Sequence, residues 1–430
     1  VLNIKKGVMQ FQDVFVKMYP RTAGEQSELP VKNITFVVTE NCNLRCTYCY
    51  EHRKNCDTRM SKDIGRKAVD MLFEEDAKQD GTYISSSNAE AVILEFIGGE
   101  PLLEVELMDY IIEYFRYKAL TINHRWALHH MISISTNGIL YGLEDVQRFI
   151  EKNEGRISIS ISIDGNKELH DSCRLFPDGK GSYDIVEKAF IKQLRKNPNA
   201  GTKLTLSPQN IGYLFEACKH LFTLGITSIF ANCVFEKGWE IEHARILYNQ
   251  MLLLANYLLE DDKFQDLHCS LFDETIGQPM FESDNENWCG GTGKMLSISC
   301  DGMVYPCLRY IPFSLKEGIA PIIIGDIHNG IEATPDQKEV VQKLNQITRR
   351  SQSTDECFNC PVASGCAWCS AYNYEETGSP DKRVTYICIM HKARVLANHY
   401  YWNKLYEKQH VEDKFKLNLC EEYIKSITNI

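Results

Sequence analysis

The run Ile34-Thr-Phe-Val-Val-Thr39 leads through Glu40-Asn41 into Cys42-Asn-Leu-Arg-Cys46-Thr-Tyr48-Cys49, so an apolar, β-branched segment ends in a loop carrying three cysteines. Similar runs recur at residues 91–97, 130–135, 156–163, 203–206 and 228–234, separated by stretches of helical periodicity. This rhythm predicts repeated βα units around a parallel sheet. Six strands with intervening helices fit either a partial barrel or an open doubly wound sheet, and periodicity alone does not choose between them. Ser61 is placed to cap a helix running through Met71 and Leu72, and the pattern over 211–224 stops at Gly225. Parallel α/β folds gather functional groups where strands end and helices begin, and each strong motif in the chain falls at such a point.

With 44% hydrophobic and 24% charged residues, the 430-residue chain buries a substantial core; collagen-like, disordered and disulfide-scaffold classes drop out. Asp and Glu (58) outnumber Lys and Arg (47), and the net charge of -11 argues against a nucleic-acid surface. Val1-Leu-Asn-Ile-Lys-Lys-Gly7 has no apolar signal core, and no run approaches the roughly 18 apolar residues of a membrane span. The chain reads as cytoplasmic. Its 17 cysteines cannot all pair, and in a reducing compartment clustered thiols more often hold metal or do chemistry.

Three thiolates on one tight loop hold three irons of a four-iron cluster and leave the fourth open to a ligand. Structural zinc would want a fourth protein ligand, for which His52 is the nearby candidate. The triplet, with an aromatic before its last cysteine, resembles the defining motif of the radical S-adenosylmethionine (SAM) superfamily. That resemblance implies a partial (β/α)6 barrel and assigns Cys42, Cys46 and Cys49 to a [4Fe-4S] cluster that chelates SAM, with Tyr48 near the adenine. Other matches follow in family order. Gly98-Gly99-Glu100-Pro101 ends the second strand, its glycines letting backbone approach a ligand and its carboxylate accepting from an ammonium. Ser162, Asp164 and Arg174 match segments binding the ribose and carboxylate of SAM, and Val234 the position packed on adenine. The bland reading of these residues is a set of caps and turns after strands.

The last third holds Cys289 and Cys307, then Cys357-x2-Cys360-x5-Cys366-x2-Cys369, then Cys388. Seven cysteines imply two metal centres; a zinc ribbon from Cys357, Cys360, Cys366 and Cys369 is the competing reading. The layout resembles the SPASM extension of radical SAM enzymes, except that Cys366 to Cys369 is x2 where the pattern has x3. By that resemblance Cys289, Cys307 and Cys369 hold a first auxiliary [4Fe-4S] cluster and Cys357, Cys360, Cys366 and Cys388 a second, three clusters in all. Some relatives add a fourth ligand to the first cluster from six residues before Cys289. Position 283 is Ser, which implies an open iron, with Cys300 and Cys269 as outside candidates to fill it. Cys56, Cys173, Cys218, Cys233 and Cys420 complete the set as buried or idle thiols.

Enzymes with this extension mostly modify residues within peptides or proteins. The stretch 366–394 resembles maturases of cysteine-repeat peptides, and this implies thioether cross-links made from Cys thiols of a ribosomally synthesised, Cys-rich precursor. A substrate thiolate held on the first auxiliary cluster would then bond to a carbon radical while that cluster takes the surplus electron. Carbon–carbon cross-linking, epimerisation and sulfatase-maturase-like oxidation are the alternatives, the last disfavoured because Leu308 stands where such maturases place an aspartate base. An electron donor such as flavodoxin or ferredoxin and an anaerobic organism follow from the cofactors; nucleic-acid and membrane partners are not expected. Too few residues precede Cys42 for the leader-binding module of many relatives, so leader recognition is expected on another surface or a separate protein.

The expected organisation is an N-terminal strand or hairpin segment at 1–32 marked by alternating Val14, Val16 and Met18, a barrel at 33–260 and a connector at 261–287. A smaller cluster domain at 288–400 and a C-terminal helix and tail at 401–430 complete it. A terminal helix is expected at about 386–406.

Overall fold

The computed structural model describes residues 30–51, 57–78, 83–287, 289–412 and 414–428. The hairpin expected around Val14, Val16 and Met18, together with His52 and Cys56, lies outside them. Strand β1 (Val31–Thr39) buries Ile34, Phe36, Val37 and Val38 completely, on both of its faces, as an interior strand of a parallel sheet does. It pairs in parallel with β2 (Ala91–Gly98), β2 with β3 (His130–Thr136), and β3 with β4 (Ile157–Ile161). Strands β5 (Thr202–Leu206) and β6 (Ser228–Cys233) form a second parallel pair, extended by the short β7 (His268–Cys269). A single parallel bridge, Ser162 to Lys203, joins the two groups. Six strands therefore follow one another in chain order around an arc, which is the partial barrel; a doubly wound sheet would reverse its strand order.

Parallel neighbours need crossovers, and helices supply them: α1 (Lys62–Asp76), α2 (Val105–Thr121), α3 (Glu144–Lys152), α4 (Lys167–Cys173), α5 (Tyr183–Lys196) and α6 (Leu214–Thr223). The Ser61 hydroxyl accepts from the Ile64 amide and starts α1. Gly225, at φ +95°, follows α6 in the left-handed conformation that ends helices. Helix α7 (Ile241–Leu259) occupies the segment the periodicity marks.

The last third is joined to the barrel sheet rather than appended to it. β8 (Met295–Ile298) pairs in parallel with the free edge of β1, and β9 (Met303–Tyr305), β10 (Gly325–Asp326) and β11 (Gly330–Ile331) continue antiparallel from it. Gly302 turns the β8–β9 hairpin at φ +87°, where a Cβ would press on Ile327 at 2.6 Å. Buried Lys32 ties the junction by donating to the carbonyls of Tyr83 and of Gly293, the latter at 2.9 Å, and burial lowers its pKa to about 7. Short helices α8 (Pro335–Asn345), α9 (Arg349–Gln352), α10 (Asp355–Phe358) and α11 (Ser370–Thr377) carry the Cys-rich loops.

Helix α12 (Cys388–Gln409) lies against α7, with the Tyr400 hydroxyl donating to Asn256 Oδ1 at 2.7 Å. It runs through the boundary expected near residue 401. A last helix, α13 (Glu421–Thr428), is held to α7 by Arg245 donating to the Ser426 carbonyl at 2.6 Å. No described helix is long and apolar enough to cross a membrane.

Candidate active site and thiol clusters

A cavity of about 320 Å³ opens at the carboxyl ends of β1 to β6. Cys42, Cys46, Tyr48 and Cys49 line it from the loop after β1, Gly98, Gly99 and Glu100 from the end of β2, and Ser162, Arg174 and Val234 from farther round the arc. Asp164 stands behind this wall. Its carboxylate accepts from Arg174 Nε at 2.7 Å and from the Tyr48 hydroxyl, and Arg174 lies over the Tyr48 ring at 5.5 Å. Burial, reinforced by the Asp164 carboxylate, pushes the Tyr48 phenol well above its ordinary pKa. Neutral His170 fixes the turn: Nδ1 accepts from the Asp164 amide at 3.2 Å and Nε2 faces the Ser182 hydroxyl at 3.0 Å. Burial lowers its pKa to about 4.

The two glycines serve the protein's own backbone. A Cβ on Gly98 would overlap the Thr39 carbonyl, and one on Gly99 would overlap the Asn41 carbonyl and stand 2.9 Å from Cys42 Cβ. Their absence lets the cysteine loop lie on the end of β2, with the Gly99 amide donating to Thr39 at 3.0 Å and the Glu100 amide to Asn41 at 2.9 Å. Glu100 is likewise engaged inside the fold. Its buried carboxylate accepts from the Thr136 hydroxyl at 2.7 Å, the Asn137 amide at 2.8 Å and the Leu102 amide at 3.0 Å. Burial raises its pKa.

Sequence reasoning missed Asn137 as a site residue. Its side-chain amide donates to Asn43 Oδ1 at 2.6 Å and points at Cys42 Sγ at 3.8 Å. Its place one residue beyond β3 is the signal that would have found it. Arg309, which also lines the cavity, was missed as well. It binds Glu236 at 2.6 Å and lies over the rings of Tyr50 and Tyr372 at 5.0 and 5.5 Å. Nothing local in the sequence marks it, because β6 and the last third meet only in the fold.

Beyond Arg309 the thiols of Cys289, Cys307 and Cys369 are neighbours. Cys289 Sγ is 3.1 Å from the Ser370 hydroxyl, and a Cβ on Gly291 would stand 3.2 Å from Cys307 Sγ. Burial, then the charges of Cys369 and Cys289, push the Cys307 thiol up. Cys357, Cys360, Cys366 and Cys388 line a second cavity of about 250 Å³. The fold thus brings the ten cysteines together as three, three and four, with Cys369 leaving its sequence neighbour Cys366 for the other group. No group of three or more His, Cys, Asp or Glu side chains among the described residues is arranged to hold a single metal ion. The donor chemistry, thiols spread around cavities, fits polynuclear iron–sulfur groups.

The two outside candidates lie elsewhere. Cys300 turns its thiol to the Val37 carbonyl at 3.2 Å, and buried Cys269 sits against Cys218. Cys420, read from the sequence as idle, is exposed and lines the second cavity.

Residues 36–231 match the family model of the Radical SAM superfamily, so this stretch carries a radical SAM domain, which implies an enzyme that uses SAM and iron–sulfur chemistry. Among curated relatives, it is 25% identical over 81% of its length to 69% of the antilisterial bacteriocin subtilosin biosynthesis protein AlbA of Bacillus subtilis. It is 22% identical, over 81% of its length and 84% of that protein, to a serine-type anaerobic sulfatase-maturating enzyme of Bacteroides thetaiotaomicron. The solved structure of anSMEcpe with bound AdoMet shares the fold at TM-score 0.64 and 18% identity, across 93% of this chain and 98% of that one.

Proposed function

We propose that this enzyme modifies a Cys-rich precursor peptide and forms thioether cross-links from its cysteine thiols. The observation that carries the reading is the placing of the three-thiol group directly behind Arg309 on the cavity that Cys42, Cys46 and Cys49 line. Subtilosin biosynthesis and sulfatase maturation, the named roles of two relatives, both support a peptide or protein substrate. Leu308, next to Cys307, provides no carboxylate base, which favours the thioether reading over sulfatase-type oxidation.

In this reading Cys42, Cys46 and Cys49 hold the cluster that binds SAM, and two further [4Fe-4S] clusters occupy the group of Cys289, Cys307 and Cys369 and that of Cys357, Cys360, Cys366 and Cys388. Bound in the first site, cluster and SAM supply a 5′-deoxyadenosyl radical. The protein orients what surrounds that radical. Arg174 and Asp164 fix Tyr48 on one wall, Ser162 and Val234 line the cavity where they would meet the nucleoside, and Asn137 braces the cysteine loop. Tyr50, Glu236 and Arg309 close the opposite side and confront the peptide. Each cross-link would form a C–S bond as the C–H hydrogen atom leaves to the 5′-deoxyadenosyl radical, giving 5′-deoxyadenosine, the S–H proton leaves to solvent, and the one surplus electron passes to the cluster of Cys289, Cys307 and Cys369. An electron donor of the flavodoxin or ferredoxin class and a separate leader-recognition protein complete the proposed system.

Anaerobic incubation with SAM, reductant and a Cys-rich peptide encoded beside the gene tests the reading. The expected product has lost two hydrogens and one alkylatable thiol per cross-link. A loss of two hydrogens with every thiol retained would transfer the assignment to carbon–carbon coupling, and an unchanged mass in water with one deuterium gained per modified residue in D2O would transfer it to epimerisation.

A further inference from the structure

Arg383 stands against the second thiol cavity in an arrangement that none of the proposed roles uses. Its Nη2 donates to Cys366 Sγ at 2.9 Å and to the Cys366 carbonyl at 3.2 Å. The loop that carries it is pinned at several points. The Arg383 amide donates to the Gln352 carbonyl at 3.1 Å, and the Val384 amide to Asn373 Oδ1 at 3.0 Å. Asn373 is fully buried on α11, and its other side-chain atom donates to the Pro380 carbonyl at 3.2 Å. The guanidinium is therefore held on the sulfur by the backbone around it. The other charged groups lining this cavity are Lys392 and Glu356.

A fixed cation that donates to a ligand sulfur favours whichever redox state is more negative, and an iron–sulfur cluster becomes more negative on reduction. We propose that Arg383 sets the redox poise of the cluster held by Cys357, Cys360, Cys366 and Cys388, raising its reduction potential through the contact with Cys366. The inference rests on the reading of those four thiols as cluster ligands. It makes this cluster the easier one to reduce than the same ligand set would be without the guanidinium. Arg383 acts through Cys366 and touches no substrate.

The test is a mediated redox titration, followed by electron paramagnetic resonance, of the reconstituted full-length enzyme. Cys42, Cys46 and Cys49 are replaced by Ala throughout so that the SAM cluster is silent. Arg383→Gln is expected to keep its iron and to lower the reduced-to-oxidised ratio of one cluster at least tenfold at fixed potential, which is about 59 mV for a one-electron couple. Arg383→Lys, which keeps the charge, is expected to recover most of that shift. Iron retained with the potential unmoved in Arg383→Gln would overturn the proposal. Loss of this cluster's iron in both variants would also overturn it, in favour of a structural role. Cys366→Ala separates the underlying reading: an iron content unchanged by that substitution would show that the thiols hold no cluster, whatever Arg383 does.

Discussion

Asp164→Asn removes a charge from a site where its partner has little access to water. Asp164 is fully buried, and only 9% of the Arg174 side chain is exposed, with 2.7 Å between Nε and Oδ2. Breaking a buried pair from one side leaves the other charge uncompensated, at a cost of about 3–5 kcal/mol. The Tyr48 hydroxyl loses its anionic acceptor in the same substitution. Urea unfolding of the cluster-loaded enzyme, followed by circular dichroism under anaerobic conditions, measures this loss. Arg174→Met, which keeps the stem that packs behind Tyr48, is expected to cost a similar amount. Asp164→Asn with Arg174→Met together are expected to cost less than the sum by about 2 kcal/mol or more, because neither charge is then stranded. A loss under about 1 kcal/mol for Asp164→Asn, or strict additivity in the double variant, would refute the argument that this wall is held by a buried ion pair.

Gly99→Ala must displace the cysteine loop, since the new methyl meets the Asn41 carbonyl and Cys42 Cβ. Overpacking of this kind costs about 1–3 kcal/mol, and weaker iron retention with slower SAM cleavage is expected; unchanged iron content and rate would show that the loop has slack. His170 has its pKa depressed from 6.5 to about 4 by burial, so the unfolded chain binds more protons between those values. Its contribution is complete above about pH 6.5 and is lost as pH falls towards 4, up to about 3 kcal/mol. His170→Gln is expected to flatten that part of the stability profile, and an unaltered slope would contradict it. Arg309→Gln is expected to weaken peptide binding while SAM cleavage without peptide stays within about threefold; an equal loss of both would place Arg309 on the SAM side of the cavity.

Much of the barrel was legible because its strands are continuous apolar runs bounded by turn residues. Five of the six strand expectations start or end on the same residue as the observed strand, and α7 spans the residues expected. The motif residues were legible as a group because the parallel topology sends every strand end to one side. What Gly98, Gly99 and Glu100 do there was not. Their neighbours are the Thr39 and Asn41 carbonyls and the end of β3, contacts that only the folded register creates. The strands of the last third were missed because they are two to four residues long, too short to show a period. Arg309 and Glu236 escaped for a related reason: 73 residues separate them, and neither carries a local motif. The partition that sends Cys369 away from Cys366 came from resemblance, since the spacing by itself fits a zinc ribbon equally well. The place of Cys420 on the second cavity was not legible either, because only the fold brings the segment before α13 back to it.

The proposed function requires the cavity of Cys42, Cys46 and Cys49 to be the SAM-cleaving centre, served by two separate thiol clusters. Iron counting after anaerobic reconstitution, paired with a 5′-deoxyadenosine assay, tests it most directly. About twelve irons per chain are expected with deoxyadenosine released, falling to about eight with none released when the three cysteines become Ala. Deoxyadenosine production that survives the triple substitution, or an iron content near four in the unaltered chain, would contradict it.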